Sequence, residues 1–286
     1  MSDATLDKFV TSLVPPALDR KTVSERRGVL EDAAKKNTSC VGFVESGSWS
    51  HGTSIAGKSD VDYMAVLPGS ARPMLPSTAL SNMKDALDGA HWSITGLKIS
   101  SPTVKVGFYQ PPNFEIVPAY YARDQGDVSV FRIPGPGDEW VESVPAAHNT
   151  YVSDINDRLG KKLKPLVRLV KAWKYDQEVP VSSFYLEMRT ARRMSDESTI
   201  LYDIDLRSVF RALILGQMRD MNDPLGIVSR ITATSSEANR RTALRAAEDA
   251  SRHLEEAKVA QEAGDKSLYW RNMVAVFGYD YPWPVW

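Results

Sequence analysis

Residues 47–62 read GSWSHGTSIAGKSDVD: a Gly-Ser pair, a spacer of eleven residues, then Asp60-x-Asp62. Alternate residues of a strand share a face and stand roughly 6 to 7 Å apart along it, so both carboxylates point the same way. Like charges held that close repel unless a cation lies between them, and hard oxygen donors suit magnesium. A pair of such ions about 3.5 to 4 Å apart can orient an attacking hydroxyl and stabilise a leaving pyrophosphate. Asp-x-Asp alone is common on exposed strands, and a loop of turn formers alone is an ordinary hairpin. The composite is much rarer, because Gly47 lets a backbone amide approach a phosphate closely and the Ser48 hydroxyl can donate to a phosphate oxygen. Two-ion sites usually take a third carboxylate from a neighbouring strand. Between Asp88 and Asp124 the only acid is Glu115, in the apolar stretch NFEIVPAYY, where a carboxylate buried without a partner is costly. The expected metal set is therefore Asp60, Asp62 and Glu115, against the plainer reading of Glu115 as a residue on an exposed strand face.

Such side chains need a sheet to hold them, and the surrounding sequence supplies one. Residues 41–44, 60–67, 103–109 and 114–121 are rich in apolar, β-branched and aromatic types and read as strands, with a helix over 81–90. Ahead of them Leu6, Phe9, Val10, Leu13 and Val14 recur at helical spacing, Pro15 and Pro16 interrupt, and residues 22–37 resume the helix. The proline- and glycine-rich stretch 133–138 marks a change of character. Beyond about residue 150 the pattern is helical: Leu159, Leu163, Leu166, Val170 and Trp173 form one stripe, with Pro165 expected to kink or restart it. Further helices are expected near 183–195, 205–221 and 237–263. The expected organisation is α+β, a mixed-sheet lobe with the N-terminal helices over residues 1–150 and a helical lobe over 151–286.

The chain carries 35 basic and 36 acidic residues and is 43% hydrophobic, which suits a sizeable core and argues against a surface that tracks a phosphate backbone throughout. A single cysteine, Cys40, forms no internal disulfide; it suits a reducing compartment and is expected to be packed rather than reactive. No stretch reaches the roughly 18 apolar residues of a membrane span, and the first residues show no basic patch followed by an apolar run. A cytoplasmic protein with no membrane partner is the expectation. Residues 158–174 hold seven basic side chains and no acid, which reads as a solvated helix face or a local anion attractor. His51 falls in the Gly-Ser loop, but the four histidines show no metal-ligand spacing, so it reads as loop filler. The terminal YDYPWPVW is expected to pack back on the helical lobe, the alternative being a tail gripped by a regulatory partner.

GSWSHGT, SDVD, EIVPA, LVRLVKAWK, SSFYLE and FGYDYP, in that order over residues 47–282, resemble the CD-NTases, the cGAS/DncV-like nucleotidyltransferases of the polymerase β-like superfamily. The resemblance implies a bilobal fold with the active site in the cleft. It also implies a synthase that joins nucleoside triphosphates (ATP, GTP or pyrimidine nucleotides) into a cyclic di- or trinucleotide. A ribose hydroxyl of one nucleotide attacks the α-phosphate of the other. Bacterial members act in antiphage defence (CBASS), where the product activates a partner effector. Position by position, the resemblance assigns Gly47 and Ser48 to the triphosphate and Thr53 to the support of that loop. Asp60, Asp62 and Glu115 go to two Mg2+ ions, with Mn2+ as a substitute. Lys171 is assigned to the donor phosphates, Ser183 to the triphosphate and Phe184 to stacking on a base. Two positions depart from many relatives: Glu115 stands for an aspartate and Phe184 for a tyrosine. No C-x-x-C or clustered His/Cys zinc element is present, so activation by DNA through such a module is not expected. Two other readings stay open, a linear nucleotidyltransferase acting on RNA or a small molecule, and a nucleotide sensor without turnover.

Overall fold

The computed structural model describes residues 4–227 and 230–286. The chain runs α1 (Ala4–Ser12), α2 (Ala17–Asn37), β1 (Gly42–Ser46), the single turn α3 (Gly47–Ser50), β2 (Val61–Leu67), α4 (Pro76–Leu87), β3 (Ile94–Ser100), β4 (Thr103–Phe108), β5 (Phe114–Gln125), β6 (Val128–Pro134) and β7 (Trp140–Ser143). Six helices follow: α5 (Pro145–Arg158), α6 (Leu163–Asp176), α7 (Ser183–Met194), α8 (Tyr202–Leu215), α9 (Glu237–Glu262) and α10 (Lys266–Phe277). Two units result, one principally residues 15–150, the other α1 with residues 151–226 and 230–286.

In the α/β unit the strand order is β1-β2-β5-β4-β3, with β6 beside β5 and β7 beside β6. β2 and β5 are parallel and the other pairs antiparallel. Val61, Tyr63, Ala65 and Leu67 of β2 are buried with Val104, Val106 and Phe108 of β4 and Phe114, Ile116 and Tyr120 of β5. Val23, Leu30 and Ala34 of α2 and Ala79, Leu80, Met83 and Leu87 of α4 complete that core. Each such side chain contributes about 1.5–3 kcal/mol on burial. The intervening residues Asp62, Lys105 and Glu115 therefore face away from the two helices, and a slip of one residue would drive them into the core.

The strands expected at 41–44, 60–67, 103–109 and 114–121 correspond to β1, β2, β4 and β5. The helix expected at 81–90 begins earlier, with Pro76 at its first position, where the missing N–H costs nothing. β3, β6 and β7 had no clear alternation to announce them. Residues 133–138 close β6 and make a tight turn into β7 rather than separating the units.

In the helical unit, Pro165 falls in the first turn of α6 and so restarts a helix instead of kinking one. Trp173 of α6 packs edge-on against Phe210 of α8 at 4.9 Å. Arg158 caps the end of α7, donating to the carbonyls of Glu197 (2.5 Å) and Ser195 (2.6 Å). α1 belongs here rather than with the sheet, because Phe9 packs on Phe277 (5.2 Å) and Tyr281 (5.1 Å). The tail does pack back: Tyr281 is buried, its hydroxyl meets that of Tyr269 at 2.8 Å, and Val285 N donates to Thr5 Oγ1 at 3.2 Å. Among the described residues no helix is long and apolar enough to cross a membrane.

Candidate active site

β1 ends at Ser46 and the chain turns at Gly47, whose φ of +61° suits glycine, into the single turn of α3. A Cβ at position 47 would overlap the Asp62 carboxylate. The glycine backbone and the carboxylate are thus in direct apposition, and glycine is required there by space as well as by conformation. The loop beyond is held from within. His51 N donates to Gly47 O (3.1 Å), Thr53 N to Ser48 O (2.8 Å) and Ile55 N to Ser59 Oγ (2.9 Å). Thr53 and His51 are both buried, so they shape the loop from beneath. The leading N–H groups of a helical turn have no intrahelical partner, which leaves them available to an anion.

Register explains how the acids meet. Ser46 pairs with Asp62, Asp62 with Glu115, Glu115 with Lys105, and Lys105 with Lys98. Residues directly opposite on neighbouring strands share a face about 4.5–5.5 Å apart, so one polar row crosses five strands. Asp60, just ahead of β2, joins it: Lys105 Nζ lies 2.5 Å from Glu115 Oε1 and 4.0 Å from Asp60 Oδ2. Thr103 Oγ1 donates to the other oxygen of Glu115, Oε2, at 3.0 Å. Burial, then the charge of Glu115, push the Asp60 carboxyl above its ordinary value, while Lys105 pulls the other way. Burial disfavours the Lys105 ammonium, but the hydrogen bond and charge of Glu115, with Asp60 and Asp62, outweigh it and raise its pKa.

Among the described residues no three His, Cys, Asp or Glu side chains converge as a ready metal cage. The cation that Asp60 and Glu115 share is the Lys105 ammonium. The donor set still suits hard divalent ions, being all oxygen, partly exposed and already turned on one cation in two of its three members. Sequence reasoning missed Lys105. The signal available was a lone lysine in the otherwise apolar strand TVKVGF, two residues from a threonine.

In the helical unit, Lys171 is sealed in an ion pair, its Nζ 2.7 Å from Glu187 Oε2 with side chains 1% and 2% exposed. Glu187, on the buried face of α7, gives an internal counter-charge to the ammonium that the resemblance assigns to the donor phosphates. The cation beside Ser183 is Lys174, one turn further along α6, whose Nζ donates to Ser183 Oγ at 2.6 Å. Phe184 is 36% exposed at the start of α7, as a stacking platform requires. The basic run is neither a simple solvated face nor a free anion patch. Lys162 donates to Ile200 O (3.2 Å) and Lys164 to Ser153 Oγ (3.1 Å), beside the contacts of Arg158, Lys171 and Lys174. Cys40 is buried, and burial pushes its thiol pKa up, in keeping with a packing role.

Residues 1–156 match the family model of SMODS, the Second Messenger Oligonucleotide or Dinucleotide Synthetase domain, over more than half of the 286 residues. The chain belongs to this family. It is a synthetase of second-messenger oligonucleotides or dinucleotides, and so a nucleotidyltransferase. Its fold is similar to that of Escherichia coli MS115-1 CdnC solved with ATP, at 20% identity and a TM-score of 0.76 over 99% of each chain. It is also similar to Bradyrhizobium diazoefficiens CdnG in complex with GTP, at 15% identity and TM-score 0.73, covering 96% of this synthetase and 95% of that chain. Vibrio cholerae DncV, a cyclic AMP-GMP synthase solved with the linear intermediate pppA(3′,5′)pG, aligns at 15% identity and TM-score 0.65, covering 84% of this chain and 70% of that one. Among curated proteins, none matches by sequence.

Proposed function

We propose that this synthetase joins nucleoside triphosphates in a metal-dependent reaction at Asp60, Asp62 and Glu115. The observation that carries the reading is the apposition of Gly47 with the Asp62 carboxylate, in a strand row that also holds Glu115. A phosphate bound by the Gly47-Ser48 turn lies beside carboxylates that favour cations. Asp60, Asp62 and Glu115 would hold two magnesium ions, with manganese as a substitute, and the bound ions would lower the cost of negative charge on the reacting phosphates. Ser48 donates its hydroxyl to a phosphate oxygen, and the buried Thr53 keeps the turn in shape. Lys174 and Ser183 contact the triphosphate, and Phe184 stacks on a base without selecting it. The ribose oxygen bonds to the α-phosphorus, the bond to the β-phosphate oxygen breaks, pyrophosphate leaves, and a Glu115 carboxylate oxygen accepts the hydroxyl proton. A second such step closes the ring.

ATP and GTP are the favoured substrates, because the similar CdnC and CdnG are seen with ATP and GTP respectively. The proposed setting is the bacterial cytoplasm, with the cyclic product activating an effector in antiphage defence. A regulatory protein partner fits that setting, since the similar CdnC is also known in a complex with HORMA-deltaN.

The test is incubation with labelled NTPs and Mg2+ or Mn2+, phosphatase treatment and mass spectrometry. A phosphatase-resistant cyclic product is expected from NTPs and metal alone. Product only when RNA or another acceptor is added would favour linear transfer, and tight NTP binding without turnover would favour a sensor. The double variant Asp60→Ala, Asp62→Ala should lose at least ~10³-fold in turnover with its melting temperature preserved, because crowded carboxylates repel one another in the metal-free chain.

A further inference from the structure

Lys105 is an ionisable group of the site that the metal-dependent reading does not use. We propose that it is the built-in counter-cation of the carboxylate cluster, its ammonium holding the place between Asp60 and Glu115 that a divalent ion would take. Ion loading then requires its displacement. The inference rests on the metal-dependent reading of the site.

Four observations carry it. Register puts Lys105 opposite Glu115, which in turn lies opposite Asp62, so the ammonium is on the carboxylate face by construction and not by a chance rotamer. It bonds Glu115 Oε1 and reaches Asp60, two members of the metal set. On its other side Lys105 pairs with Lys98 of β3, a like charge that offers the ammonium no partner there. Finally, the Lys105 side chain is 43% exposed, so its flexible stem can swing into water without opening the core.

Thr103 has the complementary part. It donates to Glu115 Oε2 and so holds the carboxylate with Oε1 turned toward the cation position. Thr103 is fixed and Lys105 is displaceable. Two divalent ions among the carboxylates would repel the ammonium. The apparent affinity for the ion is lowered by the fraction of time the ammonium holds the position, and this makes Lys105 a positioning residue that sets the metal requirement.

The experiment titrates Mn2+ into metal-free protein without nucleotide, following the free-ion signal by electron paramagnetic resonance. If the ammonium holds the position about nine-tenths of the time, Lys105→Met binds Mn2+ about tenfold more tightly than wild type. Lys105→Arg binds no more tightly than wild type, and Lys98→Met changes affinity less than twofold, since it touches the cluster only through long-range charge. Equal affinity in Lys105→Met and wild type, or an equally large effect of Lys98→Met, overturns the proposal. The Asp60→Ala, Asp62→Ala variant separates the two layers of argument. If it binds Mn2+ as wild type does, the ion site lies elsewhere and the metal reading fails with the proposal. If it loses Mn2+ while Lys105→Met matches wild type, only Lys105 is misassigned. Melting curves in EDTA confirm folding of each variant, and should Lys105→Met not fold, Lys105→Gln is read in its place with the same expected direction.

Discussion

Two lysine–carboxylate contacts in this molecule have similar bonds and opposite characters. Lys105 lies 2.5 Å from Glu115 with side chains 43% and 20% exposed, and it serves a cluster in which acids outnumber it. Lys171 lies 2.7 Å from Glu187 with both side chains almost wholly buried. The first is a contact that water and ions can enter and whose charge is unbalanced, so it is suited to exchange. The second is shut away from water, so it fastens α6 to α7. Distance and residue type are nearly the same in both; solvent access separates a site from a staple.

The largest effect that would break this contrast is on the sealed pair. Lys171→Met leaves Glu187 charged in the core and should cost about 3–5 kcal/mol in urea unfolding, with Lys171→Met, Glu187→Met recovering most of it. Lys105→Met should cost under about 1 kcal/mol in the same assay. A mild Lys171 variant would show that its pair is open to water after all. Next comes Gly47→Ala, which carries the left-handed backbone cost of about 1–2 kcal/mol and also displaces Asp62. Turnover should fall at least about tenfold, one factor of ten being about 1.36 kcal/mol. Gly57→Ala, with φ +66° but open space around it, should show the backbone cost alone and keep its activity. Lys174→Ala removes the cation beside Ser183 and should weaken NTP binding about tenfold in a binding titration, with Lys171 still in place.

The smallest effect concerns a third pairing, in which cations are in excess. Glu31 sits between Arg27 (2.8 Å) and Lys35 (2.7 Å). Burial alone would raise its carboxyl pKa, but the Lys35 hydrogen bond and the charges of Arg27 and Lys35 carry it below the usual value. The folded chain then binds that proton less readily than the unfolded one. Its stabilisation is complete above the ordinary carboxylate range and is lost as pH falls through the depressed value. The stability gap between wild type and Glu31→Gln, under about 1 kcal/mol, should be flat from pH 5 to 7 and close below about pH 4.

Much of the site is legible in residue types and spacing. Gly47-Ser48 and Asp60-x-Asp62 are local, so a strand, a turn and a strand suffice to bring them near one another, and period-two alternation already placed Glu115 as the odd polar residue of its strand. The Lys171–Glu187 pair was not legible, because a basic run does not say which of its members face inward; helical periodicity places Trp173 and Val170 in the core but not the acid on another helix that meets their neighbour. β3, β6 and β7 were missed because an edge strand exposed on both sides and a hairpin bordered by proline and glycine lack the alternation that burial on one face imposes.

What this amino-acid string determines unaided is the local chemistry: which backbone positions require glycine, which strands alternate, and which acids stand two residues apart. Only the tertiary structure decided that Glu115 pairs with Asp62, that Lys105 leans on both Glu115 and Asp60, and that Lys171 meets Glu187. Register and burial are properties of contacts between segments far apart in the chain, and the free energy that selects them comes from apolar faces packing together rather than from the polar residues they bring into line.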